Sequence, residues 1–352
     1  MERAGFRCAV YGLLFILAVQ PARTAPIPVI HLNDSSYVSA VDAAARLGLR
    51  MSWTTSGAAN ARPGLVLFGA EHRVVLIGES RDTQVDGLRV FFGEPILIRG
   101  GRFYISLLDY QGRLTPFIRP ELCGPAPGHP RVIAIDPGHG GTDNGMQNPR
   151  LALKEKVYTL DVALELRKLL EAAGYRVVMT RTSDKNVELP MRAEIANTQG
   201  ADLFVSIHFN AGAPSDTRTR GTEVFTFTLP SQRSDESWSG RKDDRETASP
   251  VNRFDAWSQV LAECIHRQVL GSLHTEDRGQ KTKHLAALRG LNCPAILVES
   301  AFLSNDAEGA LVATPAFRTR LAEALLAGIR DYSAELDRLQ PAPASPSHPQ
   351  RP

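Results

Sequence analysis

The stretch Val132-Ile133-Ala134-Ile135-Asp136-Pro137-Gly138-His139-Gly140-Gly141 runs four apolar residues into an acid, a proline and a histidine set among glycines. An unbroken apolar run of this kind is a strand buried on both faces, as in parallel sheets covered by helices. The glycines permit a tight turn, so the histidine stands at the strand's carboxyl end. The pattern recurs. A second buried strand over 203–207 ends in His208-Phe209-Asn210-Ala211, and a third over 295–298 ends in Glu299-Ser300. Between and around them the periodicity predicts helices over 155–173, 190–198, about 254–270 and about 315–332, with further strands over 176–180 and 223–228. This alternation gives an α/β domain with a largely parallel sheet flanked by helices, and in such sheets ligands gather at the carboxyl ends of the strands.

That rim holds the chemistry. Lys154-Glu155 opens the first helix, whose positions Val157, Leu160, Leu164 and Ala163, Leu166, Leu170 are expected to face the sheet, leaving Glu155 at the helix mouth. Histidines at strand ends can simply cap backbone groups, and an acid suits a helix N-terminus. A phosphate loop after Asp136 fails on detail, since no Gly-Lys-Ser/Thr follows. Two imidazoles and a carboxylate converging on one rim are a catalytic zinc set, because three protein ligands leave the fourth position open for water.

The string 133–141, then Lys154-Glu155, Arg192 with Ala196-Asn197, the run 201–211, Pro294-Ala295-Ile296-Leu297-Val298-Glu299 and Phe302-Leu303-Ser304-Asn305 resembles the zinc-dependent N-acetylmuramoyl-L-alanine amidases of the amidase-3 type. The match in order and spacing covers about 131–332. The resemblance implies that His139, Glu155 and His208 bind Zn2+, that Glu299 is the catalytic acid/base, and that the substrate is peptidoglycan, cut between N-acetylmuramic acid and L-alanine. Ser300-Ala301 stands where the family usually has a glycine before the Phe, which touches the turn and leaves the carboxylate in place. A zinc peptidase of wall peptides would use the same ligands, with an arginine such as Arg192 or Arg278 gripping a terminal carboxylate. A non-catalytic wall-binding protein would be expected to have lost a ligand or the Glu, and all four are present.

The N-terminus, with Arg3 and Arg7, the apolar run from Cys8 to Val19 and small residues up to Ala25, reads as a secretory signal over 1–25. The apolar run is shorter than the ~20 residues of a spanning helix, so no transmembrane span is expected after cleavage and the protein belongs in the periplasm or outside the cell. Residues 26–122 form a small α+β accessory unit: an amphipathic helix over 37–47 and strands over 65–68, 73–77, 88–92 and 103–107. Tyr37-Val38-Ser39-Ala40-Val41-Asp42 echoes Tyr104-Ile105-Ser106-Leu107-Leu108-Asp109, a pattern similar to the copper-amine-oxidase N-terminal-like stalk module. Only His31 and His72 lie in this unit, too few for a metal site of its own. Residues 123–130 (Cys-Gly-Pro-Ala-Pro-Gly-His-Pro) read as a linker, 131–335 as the catalytic domain, and 336–352 as a disordered Pro-rich tail.

Of 352 residues, 40 are basic and 38 acidic, and the surplus of +2 sits entirely in residues 1–25. Such balance excludes bulk coating of nucleic acid or of an anionic membrane. After signal removal Cys123, Cys264 and Cys293 remain, so at least one is free or intermolecular. Residues 230–255 hold 11 charges in 26 positions without helical or strand period. They read as a solvated loop or, as related enzymes can carry, a lid or contact for an envelope activator protein beside the site. His266, His274 and His284 are expected to be structural or solvent-facing.

Overall fold

The computed structural model describes residues 26–339 except 33–34, 55–61, 214, 239, 241–244 and 246–247. The signal segment and residues 340–352 of the expected tail lie outside the described residues. Among the described residues no helix is long and apolar enough to cross a membrane.

The accessory unit contains β1 (Val29–Leu32), β2 (Ser35–Ser39), α1 (Ala40–Arg46), β3 (Arg50–Thr54), β4 (Gly64–Phe68), β5 (Arg73–Ile77), β6 (Asp82–Val85), β7 (Leu88–Phe91), β8 (Leu97–Arg99) and β9 (Arg102–Ser106). The helix expected over 37–47 begins only at Ala40, because residues 37–39 pair with β1 and β9. The sequence echo has a structural counterpart: Ser39 and Ser106 each end a strand and cap the following helical turn by accepting from the backbone N–H of Asp42 and Asp109. The two copies lie side by side, Val38 opposite Ile105.

Beyond residues 123–130, which hold no helix or strand, come β10 (Val132–Pro137), the small hairpin β11 (Gln147–Asn148) and β12 (Leu153–Lys154), α2 (Glu155–Ala172), β13 (Arg176–Met179), α3 (Leu189–Thr198), β14 (Leu203–Asn210) and β15 (Thr222–Phe227). Then follow α4 (Asp255–Leu273), β16 (Asp277–Lys283), β17 (Ala295–Phe302) and α5 (Pro315–Leu339). Strands β13, β10, β14 and β17 are parallel, as the apolar runs imply; β15 joins β17 antiparallel and β16 joins β15 parallel. The final helix continues to Leu339 and buries Leu336, so residues 336–339 are helix and not tail.

The sheet does not stop at β16. Its edge pairs with β7, Gln280 opposite Val90, and the antiparallel strands β7, β6, β5, β4 and β3 extend it to eleven strands. The accessory unit keeps its own apolar core around Leu67, Val74, Leu76 and Ile105. The larger core packs α2, α4 and α5 against one face of the central strands, and a smaller one packs α3 and the turn Ala286–Arg289 against the other. The seam is polar. Buried Arg113 donates to Gln259 on α4 at 2.9 Å, Gln259 donates to Gln280 on β16, and the Arg89 N–H donates to Asp277 at 2.7 Å.

Candidate active site

The two buried strands deliver their histidines where expected, at the carboxyl ends of β10 and β14. Of the helix positions expected to face the sheet, Ala163, Leu166 and Leu170 are buried, Leu160 and Leu164 are half-buried and Val157 is exposed. The buried stripe of α2 is Glu155, Thr159, Val162, Ala163, Leu166 and Leu170, while Val157 is exposed. Glu155 is the first residue of the helix, at its mouth as expected, and a spacing of three to four residues also puts its carboxylate on the same stripe as the core residues.

Glu155 then lies between both imidazoles: its Oε2 is 3.0 Å from His139 Nε2 and its Oε1 is 3.0 Å from His208 Nδ1. The two rings meet edge to face with centroids 4.9 Å apart. One ligand atom from each of the three residues falls within 4.8 Å of the others. Backbone N–H groups of Met146 (2.7 Å) and Phe209 (3.0 Å) donate to the same carboxylate and fix its orientation. Burial opposes the charge on Glu155, but the paired imidazoles outweigh it and hold the carboxyl well below the usual carboxylate range. Burial likewise opposes charge on His139, and there Glu155 and Asp143 raise the imidazole.

The loop that presents His139 is held tightly. His139 itself adopts φ of +63°, a left-handed conformation that costs a non-glycine residue of order 1–3 kcal/mol. Two buried arginines grip the carbonyls around it. Arg192 donates to Pro137 and His139 and pairs with buried Asp136 at 2.6 Å; Arg181 donates to Pro137 and Gly138. Asp143 accepts from His139 Nδ1 at 2.8 Å, the carboxylate–imidazole backing usual behind a metal-binding histidine. Gly138 has no room for a Cβ, which would stand 2.2 Å from the His208 ring. Of these supports the sequence reading held Asp136, Gly138 and Arg192, as parts of the motif. Asp143, four residues after His139, and Arg181, just past β13, carried no pattern of their own.

Glu299 stands on β17 directly opposite His208, and directly opposite Glu223 on β15. Its Oε2 is shielded from solvent and has no hydrogen-bond partner among the described residues. Burial first, then the negative charges of Glu155 and Glu223, push its carboxyl well above the usual range, with Lys283 pulling the other way. Glu223 stays ionised despite burial, because Lys281 (2.6 Å) and Arg278 (2.8 Å) bind it. Both arginines considered for gripping a terminal carboxylate are therefore already engaged, Arg192 by Asp136 and Arg278 by Glu223.

The charged segment 230–255 leaves the sheet at the far end. Since β15 runs antiparallel to β17, its exit at Phe227 is about 13 Å of strand beyond Glu223. Its described residues close the seam with the accessory unit: Gln232 donates to Asp109, Asp235 pairs with Arg81 and accepts from the Thr282 N–H, and the Trp238 indole donates to the Gly93 carbonyl. These residues form neither a free solvated loop nor a cover over His139 and His208. His266 is fully buried beside Asp277 (3.3 Å), and His274 ends α4 in a left-handed cap with its side chain exposed, the one structural and the other solvent-facing. Cys123, Cys264 and Cys293 are all free.

Two imidazoles and a buried carboxylate, with an unpaired acid beside them at the open end of a parallel sheet, are the donor set of a metal-dependent hydrolase. The chain belongs to the Amidase_3 family of N-acetylmuramoyl-L-alanine amidases, whose profile matches residues 133–331. It is 33% identical over 255 residues to the N-acetylmuramoyl-L-alanine amidase AmiC of Escherichia coli O6:H1, covering 65% of this chain and 60% of that protein. To AmiA of Escherichia coli K12 it is 30% identical over 258 residues, covering 65% and 88%. An uncharacterized cell wall amidase of Bacillus anthracis is 34% identical over 209 residues, covering 57% of this chain and 35% of that one. The chain spans 35% to 60% of the length of the first three such relatives. A solved N-acetylmuramoyl-L-alanine amidase from Clostridium difficile 630 is similar with a TM-score of 0.49 and 28% identity, over 58% of this chain and 97% of that one.

Proposed function

We propose that the protein is a zinc-dependent amidase that hydrolyses the bond between N-acetylmuramic acid and L-alanine in peptidoglycan. The observation that carries this is the convergence of His139, Glu155 and His208 beside the unpaired carboxyl of Glu299, within a chain of the amidase family. Zinc suits a donor set of two nitrogens and one oxygen with no sulfur and no further carboxylate. When bound, it supplies Lewis acidity that polarises a carbonyl and makes water nucleophilic near neutral pH. Glu299 accepts the proton of the attacking water and then delivers it to the departing L-alanine amine. Its raised proton affinity suits a group that must hold that proton between the two steps. Glu155 and Asp143 hold the imidazoles in place, and Arg181 and Arg192 keep the His139 loop from relaxing.

The secretory signal read over 1–25 and a wall substrate both support a location in the cell envelope, periplasmic or extracellular. Strands β3 to β7 of the accessory unit extend the catalytic sheet, while β1, β2, β8 and β9 form a sheet of their own. The test is release of peptide from purified wall sacculi by the full chain, with zinc content measured in parallel. New lactyl carboxyl groups and free L-alanine amines support the proposal. Cleavage only within the stem peptide would replace it with the zinc-peptidase reading.

A further inference from the structure

One face of the central sheet carries its functional groups in a fixed order. His208 on β14 faces Glu299 on β17, and Glu299 faces Glu223 on β15. Two residues along, Leu297 faces Phe225, and Phe225 faces Lys281 on β16. Lys283 lies two residues further on the same face, opposite Phe227. Its ammonium reaches back from there, with Nζ 4.5 Å from the centre of the Phe225 ring. Phe225 and Glu299 are diagonal neighbours, which on a sheet face stand about 7–8 Å apart.

Most cations around this face are already bound. Lys281 and Arg278 hold Glu223, and Arg89 makes a bidentate pair with Asp82. Lys283 differs: it is half-buried and has no acidic partner among the described residues, only the aromatic face of Phe225. Its charge also acts on the Glu299 carboxyl.

The direction of the substrate follows from the amidase reading, on which this inference rests. Glu299 protonates the leaving amine, so the amine lies at β17 and the acyl half lies on the side of His139 and His208. The peptide then runs from the amine toward β15 and β16. Consecutive residues are about 3.8 Å apart, so the residue after L-alanine comes level with Phe225, whose buried ring is capped by the partly exposed Lys283 ammonium. We infer that Lys283 is a substrate-binding residue that grips a free carboxylate on the stem residue following the L-alanine. A compact ammonium on a flexible stem suits a carboxylate on a flexible peptide, and a cation kept over an aromatic ring is partly desolvated before the substrate arrives.

The experiment compares two muramoyl dipeptides whose second residue carries either the free carboxylate or its amide. The wild type cleaves the acid with kcat/KM about tenfold higher, the difference lying in KM. Lys283→Met keeps an unbranched side chain beside Phe225 and removes the charge; KM for the acid rises until the two substrates are equal, and Lys283→Arg restores the preference. Independently of turnover, calorimetry finds the acidic dipeptide product bound more tightly by the wild type than by Lys283→Met, by a similar factor. Equal KM values for acid and amide in the wild type, or a loss in Lys283→Met that falls on kcat for both alike, would overturn the assignment. Failure of the wild type to cleave any muramoyl–alanine amide removes the amidase reading instead, and the product-binding comparison still decides whether Lys283 recognises the carboxylate.

Discussion

His208 and Glu299 stand directly opposite each other across the parallel ladder between β14 and β17. Neighbouring strands are about 4.8 Å apart and paired residues share a face, so the backbone alone sets an imidazole of the ligand cluster beside the unpaired acid. No loop has to close to bring them together. Glu299→Gln keeps size and shape but cannot accept or return a proton. Turnover on wall sacculi should fall by about 10²–10⁴-fold, while the metal bound per chain, measured by elemental analysis, stays at the wild-type value. Loss of metal together with activity would show Glu299 to be a ligand and not the acid/base.

Gly145 occupies a φ of +62°, and a Cβ there would stand 2.5 Å from Glu155 Oε2 and from the His139 ring. Gly145→Ala must therefore displace two of the three proposed ligand side chains, while the strands that carry the fold are untouched. The expected outcome is an unchanged circular dichroism spectrum with metal affinity weakened about tenfold or more, read by competition with a chelator. Wild-type affinity in this variant would mean that the three residues do not act as one ligand set.

What was legible in the sequence was whatever the hydrophobic pattern records. Residues 133–135 and 295–298 are apolar without interruption, and 203–207 is broken only by buried Ser206, because both faces are buried, and each announces a strand whose end carries a polar group. The seam with the accessory unit left no such trace. Strand β16 reads Asp-Arg-Gly-Gln-Lys-Thr-Lys, without one apolar side chain, so no period could mark it. It is a strand because β15 and β7 complete its ladder and because its side chains meet charged and amide partners: Lys281 and Arg278 meet Glu223, and Gln280 meets Gln259. A reading that cannot see β16 cannot find that five strands of the accessory unit, β3 to β7, continue the catalytic sheet. The register of α2 was legible at Ala163, Leu166 and Leu170 and missed in its first turn for a related reason. Val157 and Leu160 offered an apolar stripe as good as the real one, and the buried stripe includes Glu155 and Thr159, which a hydrophobic count assigns to water.

The seam makes a direct prediction about truncation. Removing residues 26–122 would bare the β16 edge and the face of α4 on which residues 113–118 pack, leaving Gln259 and Asp277 without their Arg113 and Arg89 partners. An exposed strand edge is a template for association between chains. The fragment 123–339 should therefore be poorly soluble or aggregate, measured by light scattering after refolding, while the full chain remains monodisperse. A soluble, cooperatively melting fragment with full amidase activity would show that the shared sheet is dispensable.

The same seam contains a histidine whose charge state is linked to stability. His72 Nδ1 lies 2.7 Å from Asp86 Oδ2, and the Asp86 carbonyl in turn accepts from Arg267 on α4. The hydrogen bond to Asp86 raises the His72 pKa above its ordinary value and outweighs partial burial, which lowers it. Because the folded-state pKa is the higher one, the pair's contribution is fully present below the ordinary histidine pKa of about 6.5 and is lost as pH rises through the folded value. Both groups are partly exposed, so the effect should stay below about 1 kcal/mol. Urea unfolding at pH 5.5 and pH 8.5 tests it: His72→Gln should cost stability at the lower pH and cost less at the higher. An equal cost at both would mean that the pair is neutral in the folded chain and that the contact acts by packing alone.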